Sequence, residues 1–177
     1  MKPGRGGSKW RLLETERFFV EELWRESPDG SRRERAVIRH PGAVVILPIV
    51  DNDRVCLIRN FRVAIGRVLL ELPAGTLVPN EEPQRAAERE LIEESGYRAG
   101  HWRPLHEFYV SPGILDERMY LFLASDLQAG PPAREPGEEI ENVVVPWAEA
   151  LEMIRRGEIE DAKTIIGLLL GQEYRQR

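Results

Sequence analysis

Glu88, Glu90, Glu93 and Glu94 fall within seven residues of one segment, residues 75–97, which reads GTLVPNEEPQRAAERELIEESGY. Carboxylates this close repel one another unless a positive charge sits among them. Hard oxygen anions are the ligands of divalent cations, and magnesium binds phosphate substrates through one or two carboxylates plus water. Such an ion neutralises charge that develops on phosphate oxygens and lowers the pKa of water. A glutamate cluster by itself is more often a solvated helix face, because glutamate is a good helix former. The decision rests on what surrounds it.

The spacing predicts a helix over residues 84–95, with Pro83 in its first turn and Gly96 as its stop. With Glu90 at zero on a helical wheel, Glu94 lies near about +40°, Glu93 near about −60° and Glu88 near about 160°. Ala86, Ala87 and Leu91 lie on or beside the face of the first two acids. Those acids therefore belong at the margin of the core, and Glu88 belongs to the solvent face. The alanines allow close approach of a neighbouring element. Arg89 projects from the flank, where it can neutralise or orient a carboxylate. Glu90 and Glu94, four residues apart, can share an ion, and Glu93 can join it or hold a second. A carbonyl of the Pro73-Ala74-Gly75 turn can complete the shell.

The elements that must position this helix follow from pattern. Strands are expected at 43–50 and 54–59 around an Asp-Asn-Asp turn, then at 68–72, 105–110, 119–124 and 140–145. Two closing helices are expected at 147–156 and 162–173. Strands before, around and after one central helix indicate a mixed α/β (α+β) arrangement. Residues 128–139, QAGPPAREPGEE, form a proline- and glycine-rich loop long enough to suggest function. Ahead of this main domain, 42–177, residues 1–41 make an N-terminal extension. It comprises a flexible tail over 1–9 and a β-hairpin of 17–26 and 33–40, turned by Pro28-Asp29-Gly30. The hairpin carries Phe18, Phe19, Leu23 and Trp24 but is too thin to bury its own apolar face. It should pack elsewhere, for instance on a second copy of the chain.

The bulk properties of the 177 residues agree with one domain and a small appendage. A net charge of −5 gives no basic footprint for nucleic acid. The single cysteine, Cys56, excludes an intrachain disulfide and suits a reducing cytoplasm. The basic start MKPGRGGSK has no apolar stretch of the kind a signal peptide needs. No apolar run approaches the roughly 20 residues of a membrane span.

Gly75, Glu81, Arg89, Glu90, Leu91, Glu93, Glu94 and Gly96 match the Nudix box, G-x5-E-x7-R-E-U-x-E-E-x-G-U, at every fixed position; Tyr97 is aromatic where the final U is usually aliphatic. The chain thus resembles the Nudix hydrolases. The resemblance implies an α/β/α sandwich with a mixed sheet, dependence on Mg2+ with Mn2+ as a substitute, and attack of water on a nucleoside diphosphate linked to another group. It assigns the metal to Glu90, Glu93 and Glu94, with Arg89 and Glu93 in the catalytic machinery.

Beyond the box, HPGAVVILPIV, RNFRVAIGRVLLELPAG, SPG and DAKT look like the ADP-ribose pyrophosphatase subfamily, over about residues 10–173. Pro112, in Ser111-Pro112-Gly113, follows Gly96 by the sixteen residues typical of that subfamily. The resemblance makes the Ala74 carbonyl a metal ligand and Arg62 a phosphate contact, with Glu71, Pro112 and Gly113 also at the substrate. It draws the water-positioning glutamate from the loop PGEEIENV, as Glu138, with Glu135 and Glu139 as alternatives. Trp10 is the best match for an aromatic group that holds the base. A second aromatic expected near residues 33–37 is missing, and Arg35 can stack there instead. The expectation is hydrolysis of ADP-ribose to AMP and ribose 5-phosphate by a cytoplasmic homodimer. ADP-glucose or GDP-mannose are the alternative substrates, and a non-catalytic nucleotide-sugar sensor is the alternative of another class.

Overall fold

The computed structural model describes residues 6–51, 53–134 and 140–175, with side chains from Trp10 onward. Two sheets organise it. The first is antiparallel in the order β1-β2-β3, formed by Gly6–Glu14, Phe19–Glu26 and Arg32–Arg39. The second has seven strands. Its spine runs β10-β5-β4-β9-β8, from Ile140–Pro146, Arg54–Arg62, Ala43–Val50, Arg118–Ala129 and Tyr97–Tyr109. Two shorter strands complete it: β6 (Arg67–Glu71) pairs with β5, and β7 (Ala74–Thr76) pairs with the start of β4. β4 and β9 are parallel and the other pairings antiparallel, so the sheet is mixed.

The run AVVILPIV lacks alternation because both faces of β4 are covered. Val44 and Ile46 pack with Phe122 and Ala124 against Ala86, Ala87 and Leu91 of the helix that begins at α1 (Pro83–Glu90). Val45, Leu47 and Ile49 face the other way, toward Trp147 and Ala150 of α2 (Trp147–Arg155) and Leu168 of α3 (Ala162–Arg175). The result is helix, sheet, helix. Full burial of each such aliphatic side chain stabilises by about 1.5–3 kcal/mol. α3 approaches closely because Gly167 and Gly171 face Leu72, Leu47 and Trp147, where a Cβ would crowd all three.

Several expectations change. Residues 6–9, read as tail, continue β1, and residues 1–5 lie outside the described residues. The N-terminal extension is therefore a three-stranded sheet rather than a hairpin. Its turn is as expected: Gly30 has φ of 80° and Asp29 Oδ1 accepts the Ser31 N–H at 2.9 Å. β8 begins at Tyr97 instead of 105, and β9 continues to Ala129, so the two form a ladder with a register shift near Pro104. Gly100 and Pro104 masked the strand pattern in the sequence. Ala74 and Gly75, read as a turn, pair with β4 as an edge strand.

The N-terminal sheet joins the main body at the loop after β8. The Ile38 N–H donates to the Ile114 carbonyl at 2.9 Å, and the Asp116 N–H donates to the Ile38 carbonyl at 3.1 Å. Arg39 bridges the sheets, its Nε bonding Glu21 at 2.5 Å and its Nη1 bonding Asp116 at 2.8 Å. Trp10, Leu12 and Leu13 of β1 are more than half exposed. Among the described residues, no helix is long and apolar enough to cross a membrane.

Candidate active site

The glutamate helix does not end as an ideal α-helix. After α1 it widens into a single π-helical turn, Leu91–Ser95, and stops at Gly96 with φ of 79°. The Gly96 N–H returns to the Ile92 carbonyl at 2.9 Å, and Ser95 Oγ donates to the Leu91 carbonyl at 2.5 Å. Neighbours satisfy the carbonyls left over at this end. The Ala133 N–H donates to Glu93 O at 3.2 Å, Arg134 Nε to Glu94 O at 3.2 Å and Asn142 Nδ2 to Ser95 O at 2.7 Å. The wider turn moves Glu93 and Glu94 away from the angles an ideal wheel assigns them.

Glu94 is buried, only 6 % exposed, and its Oε2 accepts the Ala74 N–H at 2.9 Å. Glu90 sits against Gly75 so closely that an added Cβ would fall on its carboxylate. The box glycine is therefore required by packing of the acid, not by backbone freedom. Arg89 organises the group. Its Nε and Nη2 each bond Glu81 at 3.0 Å, and its Nη1 bonds Glu90 at 2.6 Å and Glu93 at 2.9 Å. The hydrogen bonds with Glu81, chiefly, hold the guanidinium above its ordinary pKa, and the same bonds hold the Glu81 carboxyl below the usual range. Glu88 is absent from this constellation. It bonds the exposed Arg85 at 2.7 Å and Gln84 at 3.2 Å, on the solvent side of the helix.

Beside the helix lies a cleft of about 300 Å³, at the starts of β4 and β9. Ala74, Gly75 and Thr76 form one wall; Arg62, Asp161 and Lys163 also line it, with Glu117 and Val110 at the rim nearest the Pro112 loop. Arg62 ends β5 and is anchored from behind by Glu71. Its Nε reaches Glu71 Oε1 at 2.7 Å and its Nη2 reaches Oε2 at 2.5 Å. Lys163 Nζ bonds the same Oε2 at 2.5 Å. Burial pushes the Glu71 carboxyl up, but Arg62 and Lys163 together outweigh it and hold the group below its ordinary value. Arg62 is raised, mainly by the Glu71 hydrogen bond, with Glu94 and Asp161 adding. Arg62 and the glutamate helix thus share one electrostatic environment.

The donor set can be tested against a divalent cation. Among the described residues, no three carboxylates, imidazoles or thiols converge on one point in this arrangement. Glu90 and Glu93 instead converge on Arg89 Nη1. The chemistry nonetheless fits: hard carboxylate oxygens, a glycine that leaves room for one of them, and a cation that already occupies the charge between them.

Residues 39–166 match the NUDIX domain family. The chain belongs to the Nudix family. It is 38 % identical over 149 residues to a protein of Bacillus subtilis (strain 168) named ADP-ribose pyrophosphatase, covering 83 % of this chain and 80 % of that one. It is 39 % identical over 155 residues to a GDP-mannose pyrophosphatase of Escherichia coli O1:K1 / APEC, covering 78 % and 81 %. A crystal structure of an ADP compounds hydrolase superposes with a TM-score of 0.85 at 25 % identity, covering 98 % of this chain and 96 % of that one. This Nudix protein is accordingly a hydrolase with the Nudix fold, in a family whose enzymes generally use a divalent metal.

The expected site residues divide into four groups. Ala74, Arg89, Glu90, Glu93, Glu94 and Arg62 gather at the helix and the cleft. Glu71 lies next to them but is fully buried behind Arg62, so it is not on the substrate-facing wall. Trp10, Arg35, Pro112 and Gly113 are exposed and do not line the cleft within one chain; Arg35 Nη1 bonds the neighbouring Glu34 carbonyl at 2.9 Å. Glu135, Glu138 and Glu139 lie outside the described residues. Lys163, Asp161 and Glu117 were given no role from sequence. For the first two a signal existed: Asp161 followed three residues later by Thr164 marks a helix start, and that helix carries Lys163 into the cleft.

Proposed function

We propose that this Nudix hydrolase cleaves the diphosphate linkage of ADP-ribose to give AMP and ribose 5-phosphate. The observation that carries this reading is the junction of two charge environments at one cleft. The carboxylate helix stands behind the Ala74–Thr76 wall, with Glu94 on Ala74 and Glu90 on Gly75, and Arg62, anchored by a buried glutamate, lines the cleft itself. A diphosphate is the ligand that needs both: a cation held by carboxylates and a second cation supplied by the protein. The name of the Bacillus subtilis relative favours ADP-ribose among such compounds.

Glu90, Glu93 and Glu94, with the Ala74 main chain, would hold Mg2+, and Mn2+ would substitute. When bound, the ion supplies charge neutralisation at the diphosphate and lowers the pKa of water. Arg62 binds and orients the diphosphate. Arg89 keeps the carboxylates of Glu90 and Glu93 aimed at a common region. Glu138, which lies outside the described residues, is assigned the proton of the attacking water, with Glu135 and Glu139 as alternatives. Trp10 and Arg35 are exposed and do not line the cleft of their own chain; in a homodimer the N-terminal region, residues 1–41, would bring them to a partner's cleft and cover the exposed Trp10, Leu12 and Leu13. A cytoplasmic setting agrees with a lone buried cysteine, Cys56, whose thiol burial pushes up to about 12.

A panel of ADP-ribose, ADP-glucose and GDP-mannose, assayed under one condition with identification of products, tests the reading. ADP-ribose should show the highest kcat/KM. The GDP-mannose pyrophosphatase relative makes preference for GDP-mannose the second reading, and a higher kcat/KM on that substrate would replace the first.

A further inference from the structure

We infer that Lys163 is a second anion-binding residue of the cleft, and that Glu71 is the positioning residue that fixes Lys163 and Arg62 as a pair. This rests on the diphosphate reading above and adds the residues that grip the diphosphate on the side away from the carboxylate helix.

The geometry begins with Glu71, the last residue of β6. It is wholly buried, yet its carboxylate takes three charge-assisted bonds, two from Arg62 and one from Lys163. Both of its oxygens are thereby committed to the protein. It faces the two cations from behind and does not line the cleft, whereas Arg62 and Lys163 do. Arg62 is 40 % exposed and uses Nε and Nη2 on Glu71, so Nη1 is directed to neither oxygen. Lys163 has three N–H donors. Glu71 takes one, and Asp161 Oδ2 forms an ion pair with the ammonium at 3.0 Å, so donors remain for a ligand.

The second partner of Lys163 does not cancel its charge outright. Asp161 Oδ2 caps α3, accepting the Thr164 N–H at 3.0 Å and its hydroxyl at 2.6 Å. Thr164 Oγ1 in turn accepts the Leu72 N–H at 2.8 Å, which locks the start of α3 to the residue after Glu71. Lys163 is therefore held by the helix start on one side and by the strand end on the other. Its side chain is 8 % exposed, and its position is fixed before any ligand arrives. A buried ion cluster is weak evidence for stability, since apolar replacements serve as well. What this cluster achieves that apolar residues would not is two oriented cations on one wall of a cleft. A diphosphate carries charge on both phosphates, and paired cations prearranged on one side match it.

The test uses the full chain and measures affinity directly. Binding of inorganic pyrophosphate and of α,β-methylene ADP-ribose, a diphosphate analogue that cannot be hydrolysed, is followed by calorimetry, beside steady-state kinetics and thermal melting. Lys163→Met leaves Glu71 paired with Arg62, so it should fold with a lowered melting temperature, bind both probes about 10–100-fold more weakly and raise KM by a similar factor, with a smaller change in kcat. Lys163→Arg should recover part of the affinity, and adenosine, which has no phosphate, should bind all variants alike. Glu71→Gln should shift KM in the same direction through both cations. If it does not fold, Lys163→Met still decides. Probe affinity and KM within twofold of wild type in Lys163→Met would overturn the inference. Lys163-dependent pyrophosphate binding by a protein that does not cleave ADP-ribose would support the clamp and sink the substrate reading. Cleavage of ADP-ribose with affinity unchanged in Lys163→Met would do the reverse.

Discussion

At the scale of single residues, the site is a set of charges, each fixed by a close neighbour. Gly75 shows how strict this is. Any side chain there would occupy the volume of the Glu90 carboxylate. Gly75→Ala should displace the Glu90 carboxylate and depress kcat while costing little stability, because the added Cβ meets only the far end of a flexible side chain. Urea denaturation and kinetics on the same preparation check both parts; an unchanged kcat would show that Glu90 does not need its present seat. The depressed carboxyls give a pH prediction with a definite sign. Glu71 and Glu81 have folded pKa values below their ordinary ones. Their contribution is fully present above the unfolded carboxylate pKa of about 4.3 and is lost as pH falls through the lower folded values. The melting temperature should therefore fall on acidification below that point, and Glu71→Gln should flatten the fall. A melting curve insensitive to pH between 7 and 3 would contradict this.

At the scale of elements, the decisive feature is how the glutamate helix ends. A regular α-helix would carry Glu93 and Glu94 at 100° steps, but the π-helical turn re-aims both and leaves carbonyls that β10 and the loop after β9 must satisfy. Gly96 closes the turn at positive φ, and a Cβ there would also strike the Gly130 carbonyl of the main chain. Gly96→Ala should thus cost about 1–3 kcal/mol, from strain and crowding together, because neither backbone can give way cheaply. Chemical denaturation measures it, and a loss below half that range would show that the turn relaxes. The helix itself was legible from Pro83, Gly96 and the acid spacing. The widened turn was not, because it answers to Asn142, Ala133 and Arg134, which lie far along the chain. β8 was only half legible, since Gly100 and Pro104 interrupt its pattern while β9 pairs with it regardless.

At the scale of the whole molecule, the main sheet has a core on both faces, whereas the N-terminal sheet leaves apolar side chains exposed. β1 leaves Trp10, Leu12 and Leu13 exposed side by side in sequence, at 61 %, 55 % and 52 %. Light scattering at micromolar concentration should give the mass of two chains, and Leu12→Glu/Leu13→Glu should shift it toward one. A monomeric wild type would contradict the proposed arrangement of Trp10 and Arg35. By itself, the sequence determined the mixed α/β architecture, the carboxylate helix with its box arginine and glycines, and the hydrolase family. These follow from local spacing, which depends on residues a few positions apart. Only the tertiary structure decided which charges meet: Glu71 behind Arg62 rather than facing the cleft, Lys163 beside them from 92 residues away, and Glu90 seated on Gly75. The reason is that ion pairs across a sheet and a helix start depend on strand order and packing, and no periodicity along the chain records those.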